Sequence, residues 1–182
     1  APTDGENAQE LLKNADMAMY KAKDVGRNNF RFYTPELIER SEKRLYIENS
    51  LRKAIQNDEL ILFFQPQIST ATGKVCGAEA LIRWKHPERG WVPPGEFIPV
   101  AEDSGIIEKI GDWVLEEACR NKRKWNDMNL NGFNISINVS GKQLKRNNWA
   151  QRVEATINQY AIKSEEIELE LTESSIMENP EK

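Results

Sequence analysis

The sequence predicts an α/β fold made of successive strand–helix–strand units, which together amount to about half of a (β/α)₈ barrel. Three observations lead to this prediction. Two apolar strand-like runs are joined by a short turn, two long amphipathic segments each lead into a further strand, and the strands alternate between polar and apolar side chains. Because these units begin only after Asp58 in a chain of 182 residues, and a closed barrel takes about 250 residues, we expect about four strands.

Composition narrows the classes of function. Lys and Arg total 25, Asp and Glu total 29, and the net charge is −4, which excludes a generally basic nucleic-acid-binding surface. No apolar run approaches the roughly 20 residues of a membrane span, and no export signal is visible at the start of the chain. The two cysteines, Cys76 and Cys119, offer neither a disulfide framework nor a CxxC metal site, so we expect two buried thiols in a reducing compartment.

The first segment reads as helix, strand and helix. Apolar residues recur at helical spacing from Asn7 to Val25, and Gly26 supplies a C-terminal stop. A short alternating strand is predicted over residues 29–33. Thr34 before Pro35 is typical of an N-cap and first helical residue, so a second, heavily charged helix should begin there and serve as a connector.

Two strands come next, and they are predicted to form a hairpin. The runs Leu60–Gln67 and Cys76–Trp84 are joined by the turn-forming segment Ser69–Lys74. Parallel neighbours need a connection of a dozen or more residues, and this link is far shorter. The first strand should therefore run antiparallel to the second.

The remaining units have long connections. A helix near Ile106–Met128 leads to a strand over Phe133–Ser140, and a helix near Gln143–Ala161 leads to a strand over Ile167–Ser174. Connections of this size predict right-handed parallel βα units. The segment Pro94–Glu102 is expected to precede the first of these helices.

Strand parity points to the chemistry. Glu79 and Arg83 share one face of their strand, Asn138 shares a face with the serines beside it, and Glu170 follows the same alternation. Because crossover helices cover the outer face of parallel strands, the polar side chains should face the barrel interior, where uncompensated carboxylates cost several kcal/mol each. Glu79, Asn138 and Glu170 offer only oxygen ligands, which favours Mg²⁺ or Mn²⁺ over Zn²⁺. A structural ion-pair network accounts for the same pattern, and parity does not separate the two.

Other candidates carry less chemistry. His86 follows a strand and could act as a general base, but a lone loop histidine beside proline is expected to be exposed. Neither a Gly-rich phosphate loop nor a Ser/His/Asp elbow is present, so a nucleophilic hydrolase has no support. Two basic clusters are expected to be solvated faces: Lys142, Lys145 and Arg146 at a helix start, and Lys21, Lys23 and Arg27 in the first segment.

The strand ends resemble a known family. Glu79-Ala80-Leu81 followed by Arg83 is similar to the signature of the EAL domain, the bacterial cyclic di-GMP phosphodiesterase. The supporting motifs occur in the family's order over roughly residues 45–182: Gln65-Pro66, Pro94–Glu102, Asn138-Val139-Ser140 and Glu170-Leu171-Thr172-Glu173.

This resemblance implies a TIM-like barrel whose first strand is antiparallel and hydrolysis of cyclic di-GMP to the linear dinucleotide pGpG. It also implies two divalent ions, Mg²⁺ or Mn²⁺, held by the residues matching Glu79, Asn138 and Glu170, of which Glu79 is catalytic. Those matching Gln65, Leu81 and Arg83 contact the substrate, Arg83 at a phosphate. The glutamate matching Glu173 steadies a later loop.

The first segment resembles a different family. Ala15–Lys23 and Gly26-Arg27-Asn28 are similar to the end of a GGDEF diguanylate cyclase domain, in which the residues matching Lys23 and Arg27 help hold GTP phosphates. The chain therefore resembles an excerpt across the junction of a GGDEF–EAL protein. Its expected divisions are a GGDEF remnant over residues 1–34, a linker or first helix over 35–57, and the N-terminal half of the EAL domain over 58–182.

Further expectations follow from the resemblance. The family's Asp-Asp pair, catalytic lysine and later glutamate and glutamine ligands lie beyond residue 182, so the fragment should bind metal weakly and should not turn over substrate. Its open barrel edge should favour self-association. The parent should reside in the bacterial cytoplasm, with any membrane tether upstream. Two alternatives stay open: a degenerate module that binds cyclic di-GMP without cleaving it, and a structural or dimerisation segment.

Overall fold

The computed structural model describes residues 5–24, 30 and 32–171. The chain divides into two compact units, Ala1–Ile47 and Glu48–Lys182, and the helix α2 (Pro35–Ala54) crosses the division. The described helices hold no apolar stretch that could cross a membrane. The first unit contains α1 (Ala8–Asp24) and the start of α2, both as predicted.

The strand predicted over residues 29–33 is wrong where it can be checked. Phe30, Phe32 and Tyr33 have no strand structure, while Asn29 and Arg31 lie outside the described residues. The two phenylalanines of the alternating sequence, Phe30 and Phe32, pack against each other instead, with their rings edge to face and the centroids 5.4 Å apart. A strand needs a paired neighbour to satisfy its backbone, and local alternation does not supply one.

The second unit is a mixed sheet covered by helices. Its strands are β1 (Leu60–Ile68), β2 (Val75–His86), β3 (Gly90–Val92), β4 (Asn134–Val139) and β5 (Ile167–Leu171). Its helices after α2 are α3 (Pro94–Ser104), α4 (Ile107–Asp127), α5 (Gly141–Leu144) and α6 (Trp149–Gln159), and a 3₁₀ turn (Ser164–Glu166) leads into β5.

The strand order confirms the predicted topology. β1 pairs antiparallel with β2, and β2, β4 and β5 are successive parallel neighbours, so the order is β1-β2-β4-β5. The short strand β3 pairs antiparallel with the last residues of β2. The crossovers through α4 and α6 therefore carry the chain from one parallel strand to the next, as loop length required.

Two helical segments differ from the predictions. Residues 94–104 form a helix of their own, α3, which begins with Pro94 at its first position and ends at Gly105 in the left-handed region, with φ 75°. The predicted helix over 143–161 is wrong as a single element, because it is split into α5 and α6. The break falls at Asn147 and Asn148, whose side chains compete with helical backbone hydrogen bonds.

The core lies between the outer face of the sheet and α4. Buried residues recur along one side of α4 at helical spacing, among them Ile110, Val114 and Ala118. The facing side chains of β4, Ile135, Ile137 and Val139, are buried as well. Helix α4 also contacts α3, α5 and α6, so it is the element around which this unit packs.

The end of β2 is buried, which corrects the prediction for His86. His86 is the last residue of the strand, it is 5% exposed, and its ring packs against Trp84 with centroids 5.3 Å apart. Its Nδ1 accepts hydrogen bonds from the backbone N–H groups of Glu88 and Arg89, at 3.1 and 3.3 Å. The proline beside it does not force exposure, because the ring packs on Trp84 and the backbone after the proline turns back to donate to its Nδ1.

The two cysteines differ in environment. Cys119 on α4 is buried as expected, and burial, with a smaller effect of the Glu116 charge, raises the pKa of its thiol to about 12. Cys76 is exposed at the start of β2, so the prediction of two buried thiols is wrong for it. The first two residues of β2 are exposed in this way, and its buried positions begin at Gly77.

A buried lysine joins α4 to the start of β5. Lys122 is fully buried, and its Nζ lies 2.9 Å from Glu166 Oε1, 2.8 Å from Asn126 Oδ1 and 4.6 Å from the centroid of the Phe133 ring. Desolvation raises the pKa of the Glu166 carboxyl, but hydrogen bonds from the Lys163 backbone, Lys122 and Asn126 outweigh it and hold the pKa below its usual range. The charge of Lys122 is therefore buried only because it is paired.

Replacing Glu166 with Gln should lower the free energy of unfolding at pH 7 by about 1–3 kcal/mol, since the charge of Lys122 then loses its counter-ion. A carboxyl whose pKa is lowered by folding stabilises the protein above its unfolded pKa of about 4.3, and this contribution is lost as the pH falls through the folded pKa. Urea unfolding of the wild type and Glu166→Gln should show a constant difference from pH 7 to about 5 that shrinks below about 4.

The neighbouring carboxylate provides the control for this experiment. The side chain of Glu165 is 76% exposed. Glu165→Gln should therefore change the free energy of unfolding by less than about 0.5 kcal/mol, both at neutral pH and below about pH 4. A loss in Glu166→Gln that is the same at pH 3 as at pH 7 would contradict the pairing argument.

Candidate functional site

The predicted polar side chains meet on one face of the sheet. In the strand register, Gln65 lies opposite Glu79, Glu79 lies opposite Ser136, and Asn138 lies opposite Glu170. Opposite residues in a ladder point to the same side. Since α4 covers the other side of β4, the inner face of the sheet carries these groups.

Glu79 and Asn138 are in direct contact. The Asn138 Nδ2 donates a hydrogen bond to Glu79 Oε1 at 2.8 Å, from β4 to β2. The amide nitrogen is thus turned towards the carboxylate, and the amide Oδ1 is left as an oxygen ligand. Glu79 and Glu170 are half-buried and Asn138 is exposed, so the group is open to a ligand from the inner face.

A second group of polar side chains lies on the same face, nearer the amino-terminal ends of β4 and β5. Asn134 Nδ2 and Ser136 Oγ both donate to Glu168 Oε2, at 2.5 and 3.3 Å. Neutral donors therefore hold Glu168 in place. Among the described residues no Lys or Arg forms an ion pair with Glu79 or Glu170, so within this part of the chain the ion-pair alternative has no partner for either carboxylate.

The chemistry of the donors fits a hard divalent cation. Glu79 and Glu170 supply carboxylate oxygens and Asn138 an amide oxygen, which is the type of ligand set that Mg²⁺ and Mn²⁺ prefer. Within the described ranges no cluster of three or more His, Cys, Asp or Glu side chains is placed to hold a metal. A cation at this site therefore needs the amide of Asn138 in addition to the two carboxylates.

Arg83 lies further along the same strand as Glu79 and on the same face, four residues on. Its guanidinium Nη1 donates to the backbone oxygen of Ile82 at 2.8 Å, and its Cζ lies 5.7 Å from the centroid of the Phe63 ring. The guanidinium has five N–H donors in a planar fork, which suits a phosphate group. These contacts orient it and leave further donors for a ligand.

A cleft of about 220 Å³ opens beside these residues. Leu81, Arg83 and Asn138 line it from the strands, and mainly apolar residues of α3 and α4 line its other side. Ser140 and Gln143, at the turn after β4, border it as well. A larger hollow of about 660 Å³ lies at the opposite end of the sheet, lined by Cys76, Asn134 and Glu166 among others. None of the candidate residues borders the larger hollow, so the smaller cleft is the one next to the chemistry.

Some predicted residues lie outside the description. Glu173 and Arg27 fall in undescribed segments, and nothing is described of the Lys23 side chain. The basic cluster near residue 142 is not simply solvated: Lys142 Nζ donates to the Glu102 backbone oxygen, and Arg146 Nη1 lies 3.1 Å from Asp112 Oδ1.

Sequence reasoning missed one residue at the end of β4. Gln143 is 3% exposed, and its side-chain Oε1 accepts a hydrogen bond from the Ser140 backbone N–H at 3.1 Å. The Ser140-x-x-Gln143 spacing is that of a capping box, which marks a helix start. That signal was available in the sequence and places the N-cap of α5 at Ser140, three residues before Gln143.

Comparison with known proteins identifies the family. The EAL domain model matches residues 48–182. The chain belongs to the EAL-domain family. It is 39% identical over 176 residues to the bifunctional diguanylate cyclase/cyclic di-GMP phosphodiesterase MucR of Pseudomonas aeruginosa, covering 97% of this chain and 26% of MucR. It is 38% identical over 181 residues to the cyclic di-GMP phosphodiesterase PdeR of Escherichia coli, covering 100% of this chain and 27% of PdeR.

Solved structures show that the fold is that of an EAL domain. The MucR phosphodiesterase in complex with c-di-GMP superposes with a TM-score of 0.70 at 36% identity, covering 74% of this chain and 55% of that one. The fold is thus the α/β arrangement of the EAL domain. The chain spans about a quarter of the length of the curated relatives named above.

Replacing Asn138 with Asp should make the stability of the EAL domain depend on divalent ions. The change removes the donor to Glu79 and places a third carboxylate beside two others, and like charges in contact repel. We expect the midpoint of thermal unfolding to fall by several degrees in EDTA and to recover with millimolar Mg²⁺, as measured by circular dichroism. Asn147→Asp makes the same charge change in an exposed turn and should show neither effect. A Mg²⁺-independent loss in Asn138→Asp would count against a cation site.

Proposed function

We propose that the chain is part of a bacterial signalling protein that hydrolyses cyclic di-GMP to linear pGpG. The observation that carries this proposal is the placement of Glu79, Asn138 and Glu170 on one face of three adjacent parallel strands, with Asn138 donating to Glu79 at 2.8 Å. Two of the relatives named above are cyclic di-GMP phosphodiesterases by name, and one solved relative is a c-di-GMP complex. These likenesses support the substrate assignment.

In this proposal Glu79, Asn138 and Glu170 hold divalent ions, Mg²⁺ or Mn²⁺, two in the complete domain. Bound divalent ions polarise a phosphodiester, lower the pKa of a coordinated water and stabilise the attacking and leaving oxygens. In this site the chain supplies one carboxylate on β2, one on β5 and a neutral amide on β4 between them. Because the ligands stand on rigid strands rather than on loops, their spacing is held by the ladder itself.

Arg83 is assigned to the phosphate and Gln65 and Leu81 to the remaining substrate contacts. Arg83 shares a face of β2 with Glu79, so a phosphate held at the guanidinium lies on the same side of the sheet as the carboxylates. Gln65 on β1 lies opposite Glu79, and Leu81 lines the cleft beside Arg83. Glu173 is proposed to steady a later loop.

We also propose that residues 1–34 are the end of a GGDEF domain, residues 35–57 a linker or first helix, and residues 58–182 the first half of the EAL domain. Support comes from MucR, which is named as a bifunctional cyclase and phosphodiesterase and aligns with 97% of this chain. The parent protein is assigned to the bacterial cytoplasm. The 182 residues alone are expected to be inactive, since the 74% of this chain that aligns with the solved MucR phosphodiesterase covers 55% of that chain.

The test is turnover by the full-length protein that contains this chain. The protein is incubated with cyclic di-GMP and Mg²⁺, and pGpG is measured by chromatography. Glu79→Ala should reduce turnover by more than the 10–100-fold that outer-shell substitutions cost. Glu154→Ala, an exposed carboxylate on α6, is the matched control and should retain full activity. If the wild type binds cyclic di-GMP without turning it over, the phosphodiesterase proposal is wrong and the protein is a receptor. If it neither binds nor turns over cyclic di-GMP, the segment is structural.

Self-association of the 182-residue chain is a second proposal. Strand β5 lies at the edge of the described sheet, and Leu169 and Leu171 are 39% and 49% exposed on it. An unpaired apolar edge favours pairing with another chain. Light scattering should show a mass above that of one chain at high concentration, and Leu171→Lys should shift it towards the monomer. Leu130→Lys, at a position that is 53% exposed in a loop, should not. A monomeric wild type would refute this.

A further inference from the structure

A buried side chain, that of Gln143, helps to hold the turn that follows β4. Gln143 accepts the Ser140 backbone N–H on its Oε1 at 3.1 Å, and its own backbone N–H donates to the Ser140 backbone oxygen at 3.1 Å. Both residues are buried. Two reciprocal hydrogen bonds close the backbone into a fixed turn directly after the strand.

Helix α4 makes room for this side chain at one position. A Cβ atom at Gly111 would lie 1.9 Å from Gln143 Nε2 and 2.5 Å from its Cδ, so no residue with a side chain fits while Gln143 stays where it is. Gly111 lies in the interior of a long helix and is buried, and glycine is among the least favourable residues there. The close approach of the Gln143 amide accounts for its presence.

A second hydrogen bond holds the short helix α5, which contains Gln143. Lys142, the residue before Gln143, donates from Nζ to the backbone oxygen of Glu102 on α3. Helix α5 is therefore fixed to α3 through Lys142 and rests on α4 through Gln143. Contacts with two helices restrain the turn from shifting along the direction of β4, the strand that it terminates.

The strand end matters because of the residue two positions before Ser140. Asn138 is exposed and reaches Glu79 across β4 and β2 at 2.8 Å. An exposed side chain has little packing of its own, so its position depends on the backbone that carries it. If Ser140 moves, the Asn138 amide moves with it.

We propose that Gln143, seated on Gly111, is the positioning residue of the divalent-ion site. It holds the end of β4 so that Asn138 stays opposite Glu170 on β5 and its amide stays within hydrogen-bonding reach of Glu79 on β2. This inference rests on the proposed function, since it names the device that holds one ligand of that site.

The first experiment measures Mn²⁺ binding to the full-length protein by titration calorimetry, with urea unfolding of each variant alongside. Gln143→Ala should weaken Mn²⁺ binding at least tenfold and raise the Mg²⁺ concentration needed for half-maximal turnover by a similar factor. Thr156→Ala is the control for lost stability. Thr156 is buried on α6, and its Oγ1 donates to the Arg152 backbone oxygen at 2.9 Å, so its removal should lower the unfolding midpoint without changing Mn²⁺ affinity.

A pair of substitutions separates packing from positioning. Gly111→Ala alone should displace Gln143 and weaken both stability and Mn²⁺ binding. In the double variant Gly111→Ala with Gln143→Ala, the added methyl group enters the space that the glutamine leaves. The unfolding midpoint should recover relative to Gly111→Ala, while Mn²⁺ binding should stay at least tenfold weaker than in the wild type, because the Ser140 N–H still lacks its acceptor.

The outcomes distinguish this inference from the proposed function. Wild-type Mn²⁺ affinity in Gln143→Ala, or recovery of affinity together with stability in the double variant, overturns the positioning role. If Glu79→Ala loses Mn²⁺ binding in that same series, the ion site stands and only the role of Gln143 is wrong. If Glu79→Ala binds Mn²⁺ like the wild type, the proposed ion site is wrong and the positioning role falls with it.

Discussion

The packing of α4 against the outer face of β4 is the interaction on which the rest of this unit depends. It buries Ile135, Ile137 and Val139 on one side of the strand. The two-residue period of a strand then directs Ser136 and Asn138 to the other side. Because the parallel ladder aligns β4 with β2 and β5, one helix–strand contact orients candidate ligands on three strands at once.

Helix α4 also makes a close polar contact at each end of the sheet. At the end where β4 finishes, Gly111 lets the Gln143 amide come close enough to hold the turn. At the other end, Lys122 buries its charge against Glu166 before β5 begins. Both are close approaches that involve a polar group in a dry environment, where an unpaired partner costs most. The positions of β4 and β5 relative to α4 are therefore defined by hydrogen bonds in addition to apolar packing.

The sequence predicted a large part of this arrangement because its signals are local or topological. Loop length required the antiparallel hairpin of β1 and β2, crossover length required the parallel pairs, and parity placed Glu79, Asn138 and Glu170 on one face. It failed where burial depends on distant elements. His86 is buried against Trp84, which itself packs on Phe97 of α3, and Cys76 is exposed at the start of β2. The split between α5 and α6 had a local signal, the pair Asn147 and Asn148, which competed with an apolar periodicity that continued past the break.

What the sequence by itself determined was the order of the elements, the direction of each strand and the face on which each candidate ligand stands, because strand period and connection length are properties of the chain alone. Only the tertiary structure decided that Asn138 turns its amide nitrogen to Glu79 and that neutral donors rather than a cation hold Glu168. It also decided that the Gln143 amide fills the space that a side chain at position 111 would take. These features are distances between residues far apart in the chain, and such distances exist only once the helices have packed on the sheet.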